Sequence, residues 1–328
     1  MISAYFIRLI CLSFASFFLV YLALSLLSLA ATPSVARLAR RRRPRVATRL
    51  MLGLRLFPLG LSLFVVLGLC LPSYLLLEPR ESAERVGAAC VLAALAGFAA
   101  WAISIHRALR AMRGSLRYQR SCRALSAERR MERGSESLPV SVLEGEMPLL
   151  GLAGILRPRI VLSSAVLRSL DPEQLAVALR HERAHWVSRD NLKRLVLLLA
   201  PDPLPFFRLF AAIDRRWTRY AEWAADDRAV AGDPEHSLSL ASALVRMARM
   251  GKAARPTELV VALAGEDDLS ERIERLLRAA GSPDEYRRGH FRLWAAGAAI
   301  AGLGFALAIV LQPATFYSVH FLLERLIR

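Results

Sequence analysis

"LRHERAHWVSRDN", residues 179–191, places His181 and His185 four positions apart with Glu182 beside the first. Positions i and i+4 of an α-helix project from one face, so on a helix both imidazoles can address a single ion. On a solvated helix face the same residues would signify only polarity. The neighbouring sequence decides between the two.

Immediately upstream, Asp171, Pro172 and Gln174 suit an N-cap, a first helical position and a capping-box partner. They predict one long helix over 169–200, ended by the prolines of "PDPLPFF" (201–207). A second helix, roughly Asp214 to Ala231, stops at Gly232, and a third covers 237–250. Before the first helix, residues 133–170 carry Gly, Pro and Ser punctuation around the runs Pro139–Leu143 and Arg159–Leu162, which predicts two or three strands. Within them "GILRPRIVLSS" (154–164) suits an exposed edge for pairing with a substrate chain as well as it suits a core strand.

Further out the chain becomes apolar. It has 328 residues, 55% of them hydrophobic, and a mean hydropathy of +0.36, which argues against a simple soluble protein. Residues 4–31, 51–77, 86–105 and 293–312 are each long and apolar enough to cross a hydrocarbon core, which takes roughly 20 residues. A cleaved signal peptide is the rival for the first, given "SLAATPSVA", but the length of the run and the basic charge after it favour a span. Arg55, near one end of the second, is expected to snorkel.

Arginines follow the first span at 37–49 and the third at 106–120, so these segments should face the cytoplasm and the N-terminus the outside. The expected organisation is three spans in 1–105 with a basic cytoplasmic loop at 32–50, a cytoplasmic domain at 106–291, a fourth span at 292–312 and a short extracytoplasmic tail at 313–328. The net charge of +17 concentrates beside spans, where membrane lipid accounts for it, so direct nucleic-acid binding is not expected. Cys11, Cys70 and Cys90 lie within spans and Cys122 stands alone, giving neither a metal-type pair nor a disulfide framework.

His-Glu-x-x-His supplies two neutral nitrogen ligands for Zn2+ and a carboxylate to take a proton from water acidified by the metal. A third ligand should come from a following helix, where Glu222 is well placed. Asp226, four residues on, can accept a hydrogen bond from the non-ligating nitrogen of a zinc histidine. Asp227 should face water or an arginine, and Asp190 with Arg189 could brace the helix pair. For the oxyanion, His236, Tyr220 and Arg228 are candidates, although a loop histidine such as His236 is more often simply solvated.

On "GLAGILRPRIVLSS", "HERAHWVSRD" and "AEWAADDRAV", set between three spans and a fourth, the chain resembles the BlaR/MecR-type antirepressor membrane metallopeptidases. "HERAH" with Glu222 and Asp226 also resembles the gluzincin arrangement of Ste24/HtpX-like membrane proteases. The resemblance implies zinc on His181, His185 and Glu222, Glu182 as general base, and regulated cleavage of a cytoplasmic repressor or of the protease itself. It implies a mainly α, polytopic membrane protein with a cytoplasmic α+β gluzincin-like metallopeptidase domain in the bacterial inner membrane. Only 313–328 follows the fourth span, too short for a penicillin-binding sensor domain, so antibiotic sensing by this chain is not expected. The expected partners are a cytoplasmic protein substrate, such as a BlaI/MecI-like winged-helix repressor, and membrane lipid; a homodimer is left open. Membrane-protein quality control and a non-catalytic zinc-containing signalling scaffold are the alternatives, the intact Glu182 speaking against the scaffold.

Overall fold

The structure, a computed structural model, describes residues 2–79, 86–131, 138–146, 148–204, 208–250, 266–281 and 312–327. Continuous apolar sequence sets the first elements. Helix α1 is Ile2–Arg40; α2 (Pro44–Val65) continues through a π turn, Val66–Cys70, into α3 (Leu71–Leu77); α4 is Ala88–Leu125. Pro72 has no N–H to offer the carbonyl of residue 68 and its ring crowds that group, and the widened turn relieves both faults.

Three helical stretches of 36, 34 and 37 residues are long and apolar enough to cross a membrane. At 1.5 Å per residue they run about 50–55 Å, well beyond a hydrocarbon core of about 30 Å. The excess lies at the end where the basic segments 37–49 and 106–120 fall. There Ala39, Ala47 and Met51 pack against Leu197, Trp217, Tyr220 and Ala221 of the following domain. The fourth span expected over 292–312 lies, save its last residue, outside the described residues.

That domain opens with a four-stranded sheet, β1 (Ser126–Met131), β2 (Leu138–Leu143), β3 (Leu150–Ala153) and β4 (Arg159–Ser163), in the order β1-β2-β4-β3. The β1–β2 and β3–β4 pairs are antiparallel and β2–β4 is parallel. Alternation along β4 explains its burial: Ile160 and Leu162 join Val140, Val166, Leu170, Ala178 and Ala243 on one face, while Val161 meets Cys122 and Ala153 on the other. The sheet thus lies between the extension of α4 and the helices behind it. β4 is paired on both sides, so the edge-strand reading of 154–164 gives way to an interior strand, and the edges of the described sheet are β1 and β3.

Helix α5 (Ser164–Ser169) is capped by Ser163 Oγ, and α6 (Pro172–Ser188) by Asp171, whose carboxylate accepts from the Gln174 N–H at 2.9 Å. The Gln174 side chain does not look back to the cap, because it accepts from Arg246 at 3.1 Å. The single helix predicted over 169–200 is two: Arg189 takes a left-handed conformation (φ 55°), ends α6 and starts α7 (Asp190–Leu199). Helices α8 (Ala211–Val230), α9 (Pro234–Arg249), α10 (Glu266–Gly281) and α11 (Pro313–Ile327) complete the described elements. α11 packs Leu323 and Ile327 against Tyr5, Leu12, Tyr74 and Ala94 at the other end of the long helices.

One correction and one new contact concern polar residues. Arg55 does not snorkel; it is 2% exposed and donates to Ala200 O at 2.9 Å with Phe210 4.2 Å beneath its guanidinium. Asn191, the second residue of α7, donates to the carbonyls of Leu152 (3.2 Å) and Gly154 (2.8 Å), fastening the helix to the β3 edge. Both carbonyls belong to buried residues, so Asn191→Ala should lower stability by about 1–3 kcal/mol, read as the shift in thermal unfolding of the purified protein.

Candidate metal centre

Each functional side chain is positioned by a helix whose other face is already committed. α6 buries Val177 and Ala178 against α9 and the sheet, which turns His181 and His185 toward α8. α8 buries Trp217, Tyr220 and Ala221 against α1 and α2, which leaves Glu222 and Asp226 facing α6. Arg228 ties the two helices, donating to Ala184 O and Ser188 Oγ, each at 3.2 Å.

His181 Nε2 and His185 Nε2 lie 3.1 Å apart, and each is 3.5 Å from Glu222 Oε2. The remaining nitrogens are engaged elsewhere: His181 Nδ1 is 2.9 Å from Asp226 Oδ1, and His185 Nδ1 is 2.8 Å from Asp190 Oδ2. A carboxylate on Nδ1 fixes one proton there, so in its neutral form each imidazole presents a lone pair at Nε2. Two lone pairs and a carboxylate oxygen facing one another at this spacing attract a cation. A tetrahedral ion with bonds of about 2.0–2.1 Å needs ligand atoms roughly 3.3 Å apart, which the triangle of 3.1, 3.5 and 3.5 Å matches. The donor set therefore fits a divalent metal, and these are the residues able to hold it.

Charge around the trio is balanced by groups that the sequence did not disclose. Arg272 of α10 grips Asp226 with both arms, Nε to Oδ2 at 3.0 Å and Nη2 to Oδ1 at 2.7 Å, and its Nη1 lies 3.3 Å from Glu222 Oε2. Arg275, three residues on, pairs with Asp227. Arg194 of α7 lies 3.5 Å from Glu222 Oε1. Burial alone would raise Glu222, but His185, His181 and Arg272 hold it well below the usual carboxylate range. Burial likewise works against Asp226, and Arg272 with His181 drives its carboxyl down.

The histidines respond in the opposite sense. Burial disfavours their charged forms, yet Asp226 and Glu222 raise His181, and Glu222 and Asp190 push His185 up to about 10. The ion-free site therefore holds protons that a metal must displace. His185 has its pKa above the ordinary 6.5, so its proton is retained below that value and lost as pH rises toward 10. Apparent metal affinity should rise with pH across this window, with proton release on binding, measurable by titration calorimetry in buffers of different ionisation enthalpy.

Glu182 sits one step round α6, half-buried, near enough that its charge helps keep Arg272 protonated. His236 stands at the start of α9, where its Nδ1 is 3.2 Å from Asp233 Oδ2. Tyr220 packs toward α1 and α2. Arg272 is the side chain from outside α6 to α8 that reaches the trio among the described residues.

Apolar helices of membrane-crossing length, joined to an α+β domain with a buried His-His-Glu triangle, define a membrane metallopeptidase-like protein. The chain belongs to the M56 peptidase family: the profile described as BlaR1 peptidase M56 matches residues 79–276. Among solved structures the chain is similar to S. mikatae Ste24p, at 13% identity and a TM-score of 0.31, over 69% of this chain and 75% of that one. No curated protein matches it.

Proposed function

We propose that the chain is a zinc endopeptidase of the bacterial cytoplasmic membrane that cleaves a cytoplasmic protein, most concretely a BlaI/MecI-like winged-helix repressor or itself. The observation that carries the reading is the Nε2–Nε2–Oε2 triangle with Glu182 beside it on the same helix. The basic segments at the domain end of the long helices support a cytoplasmic site and an outside N-terminus.

Zinc would supply Lewis acidity toward a substrate carbonyl and toward the attacking water. The chain supplies the rest. The carboxylate of Glu182 accepts a proton from that water and returns it to the leaving amine. Asp190 and Asp226 hold the imidazole tautomers that keep both Nε2 atoms free. Arg272, fixed by Asp226, is the cation poised for negative charge growing at the carbonyl oxygen, and His236 remains the alternative donor.

Zinc content of the detergent-purified chain tests this first. About one zinc per chain is expected, and folded His185→Ala and Glu222→Ala variants should lose or weaken it. A folded wild type that takes up no zinc on reconstitution would sink the reading. Incubation with candidate winged-helix repressors, alongside a search for cleavage of the chain itself, tests the substrate.

A further inference from the structure

The three ligands hang from two differently anchored helices. α6, with His181 and His185, is packed on the sheet and α9, whereas α8, with Glu222, is packed on α1 and α2; the two helices also meet beyond the ligands, where Val177 packs with Ala229 and Val230. Along α8 the residues Asp214, Trp217 and Ala221 fall at helical spacing on the face toward α2. Glu222 lies eight residues from Asp214, about 12 Å along the axis. A displacement of α2 is therefore passed to the third ligand through one rigid helix.

The contact at the near end of that helix is built from charge. Arg55 of α2 sends Nε to within 3.4 Å of Asp214 Oδ1 and Nη2 to within 4.0 Å of Asp202 Oδ1. Its Nη1 is 3.5 Å from the hydroxyl of Tyr21 of α1, which itself donates to Pro201 O. Arg107 of α4 reaches Asp202 Oδ2 at 3.6 Å. Arg55 of α2 and Arg107 of α4 thus reach the two aspartates, one before α8 and one in its first turn, while Tyr21 of α1 joins the cluster through Arg55 and Pro201 O. Counted at 1.5 Å per residue from Tyr5, Leu77 and Ala88, these side chains lie about 24–33 Å in, near the inner face of a core about 30 Å thick.

A buried cation at a membrane boundary persists only with partners. These partners are held at ion-pair distances of 3.4 to 4.0 Å, longer than the 2.9 Å bond from Arg55 to Ala200 O. Burial pushes the Asp214 carboxyl up to about 6 against the pull of Arg55, with Asp202 adding to the rise. Such a set can change partners when the helices shift, where a tightly hydrogen-bonded one would resist.

We propose that Arg55, with Arg107, Asp202 and Asp214, is the joint that sets Glu222 against His181 and His185, so that movement of the membrane helices makes or loosens the third ligand. Arg55 is then a positioning residue, acting through Asp214 and α8. The inference rests on the metal reading above only where it concerns ligation; the coupling of α2 to α8 stands apart from it.

The test uses the full chain in lipid nanodiscs, with two readouts on wild type, R55Q, R55K and R107Q, each shown to be folded by circular dichroism. The first is cobalt titration, whose visible absorption reports the ligand set. The second, with the native cysteines replaced, is the distance between spin labels at Val187 on α6 and Arg215 on α8, both exposed. R55Q should weaken cobalt binding about tenfold or more, move its spectrum toward that of E222Q, and broaden or displace the label distance. R107Q, altering a half-exposed arginine, should do the same to a smaller degree, and R55K should restore both readouts, which a general loss of stability would not allow. If R55Q does not fold, R107Q decides. Folded variants with the wild-type distance distribution overturn the joint, whatever the metal does. A wild type that binds no cobalt while the distance responds to R55Q leaves the joint standing and removes the metal reading instead.

Discussion

Glu182→Gln is expected to leave the protein folded and metal-loaded while lowering peptide-bond cleavage by roughly 10²–10⁴-fold, the contribution of a positioned general base. The amide matches the carboxylate in shape but accepts no proton at neutral pH, so water attack loses its base and the leaving amine its donor. Metal should stay because the trio is His181, His185 and Glu222, and Glu182 stands outside it. Arg272 should also keep its place, since Asp226 holds it from two sides and Glu182 adds only a longer-range charge. The two measurements are zinc content and the rate of cleavage, of the chain itself or of an added repressor, in wild type and variant side by side. Wild-type cleavage by E182Q would remove Glu182 from the chemistry; joint loss of zinc and activity would recast it as part of the metal-holding framework.

The spacing of His181, Glu182 and His185 was legible because a helix places i and i+4 together whatever surrounds it. So were the Asp171 cap, the Pro172 start and the apolar helices, all set by local chemistry or long runs of composition. The break at Arg189 was not: nothing local demands a left-handed arginine in "WVSRDN". Its consequence is tertiary, since the turn it makes brings Asp190 back onto His185 and lets Lys193 pair with the same carboxylate at 2.8 Å. Arg272 and Arg275 were hidden for a different reason. They meet Asp226 and Asp227 across 46 and 48 residues of sequence, and an arginine three places from another on a polar helix looks like a solvated face. The cluster of Glu222, Asp226 and Asp227 within two turns of α8 was the one hint that basic partners were needed. Arg55 misled because its place near the end of an apolar run suits a snorkelling side chain, whereas the two aspartates that hold it inward belong to a segment more than a hundred residues away.

Asp226→Asn is expected to damage stability and metal binding together. Asp226 is wholly buried between three donors, His181 Nδ1 and the Nε and Nη2 of Arg272. An asparagine of the same shape keeps one acceptor oxygen, loses the charge, and turns an N–H2 toward groups that are themselves donors. Breaking a buried ion pair on one side costs about 3–5 kcal/mol, because the abandoned charge stays in a medium that solvates it poorly. Loss of the acceptor on a metal histidine weakens ligation by about 10–100-fold. Arg272 would then rely on Glu222, already 3.3 Å away, and so compete for the third ligand. The pH dependence follows from the sign of the shift. The Asp226 carboxyl is held below its ordinary 3.8, so its contribution is complete above that value and fades only as pH falls through the lower one. The gap between wild type and variant should accordingly close in acid, hold from about pH 5 to the ordinary 6.5 of histidine, and narrow above it as His181, which Asp226 raises, gives up its proton. Thermal unfolding of the purified chain at several pH values, with zinc titration at neutral pH, reads both effects. The double variant D226N/R272Q sharpens the test: removing the stranded cation should recover part of the lost stability, making the pair less damaging than the sum of its parts. Strict additivity would mean that Arg272 does not depend on Asp226 for its charge, and the role of Asp226 would shrink to orienting His181.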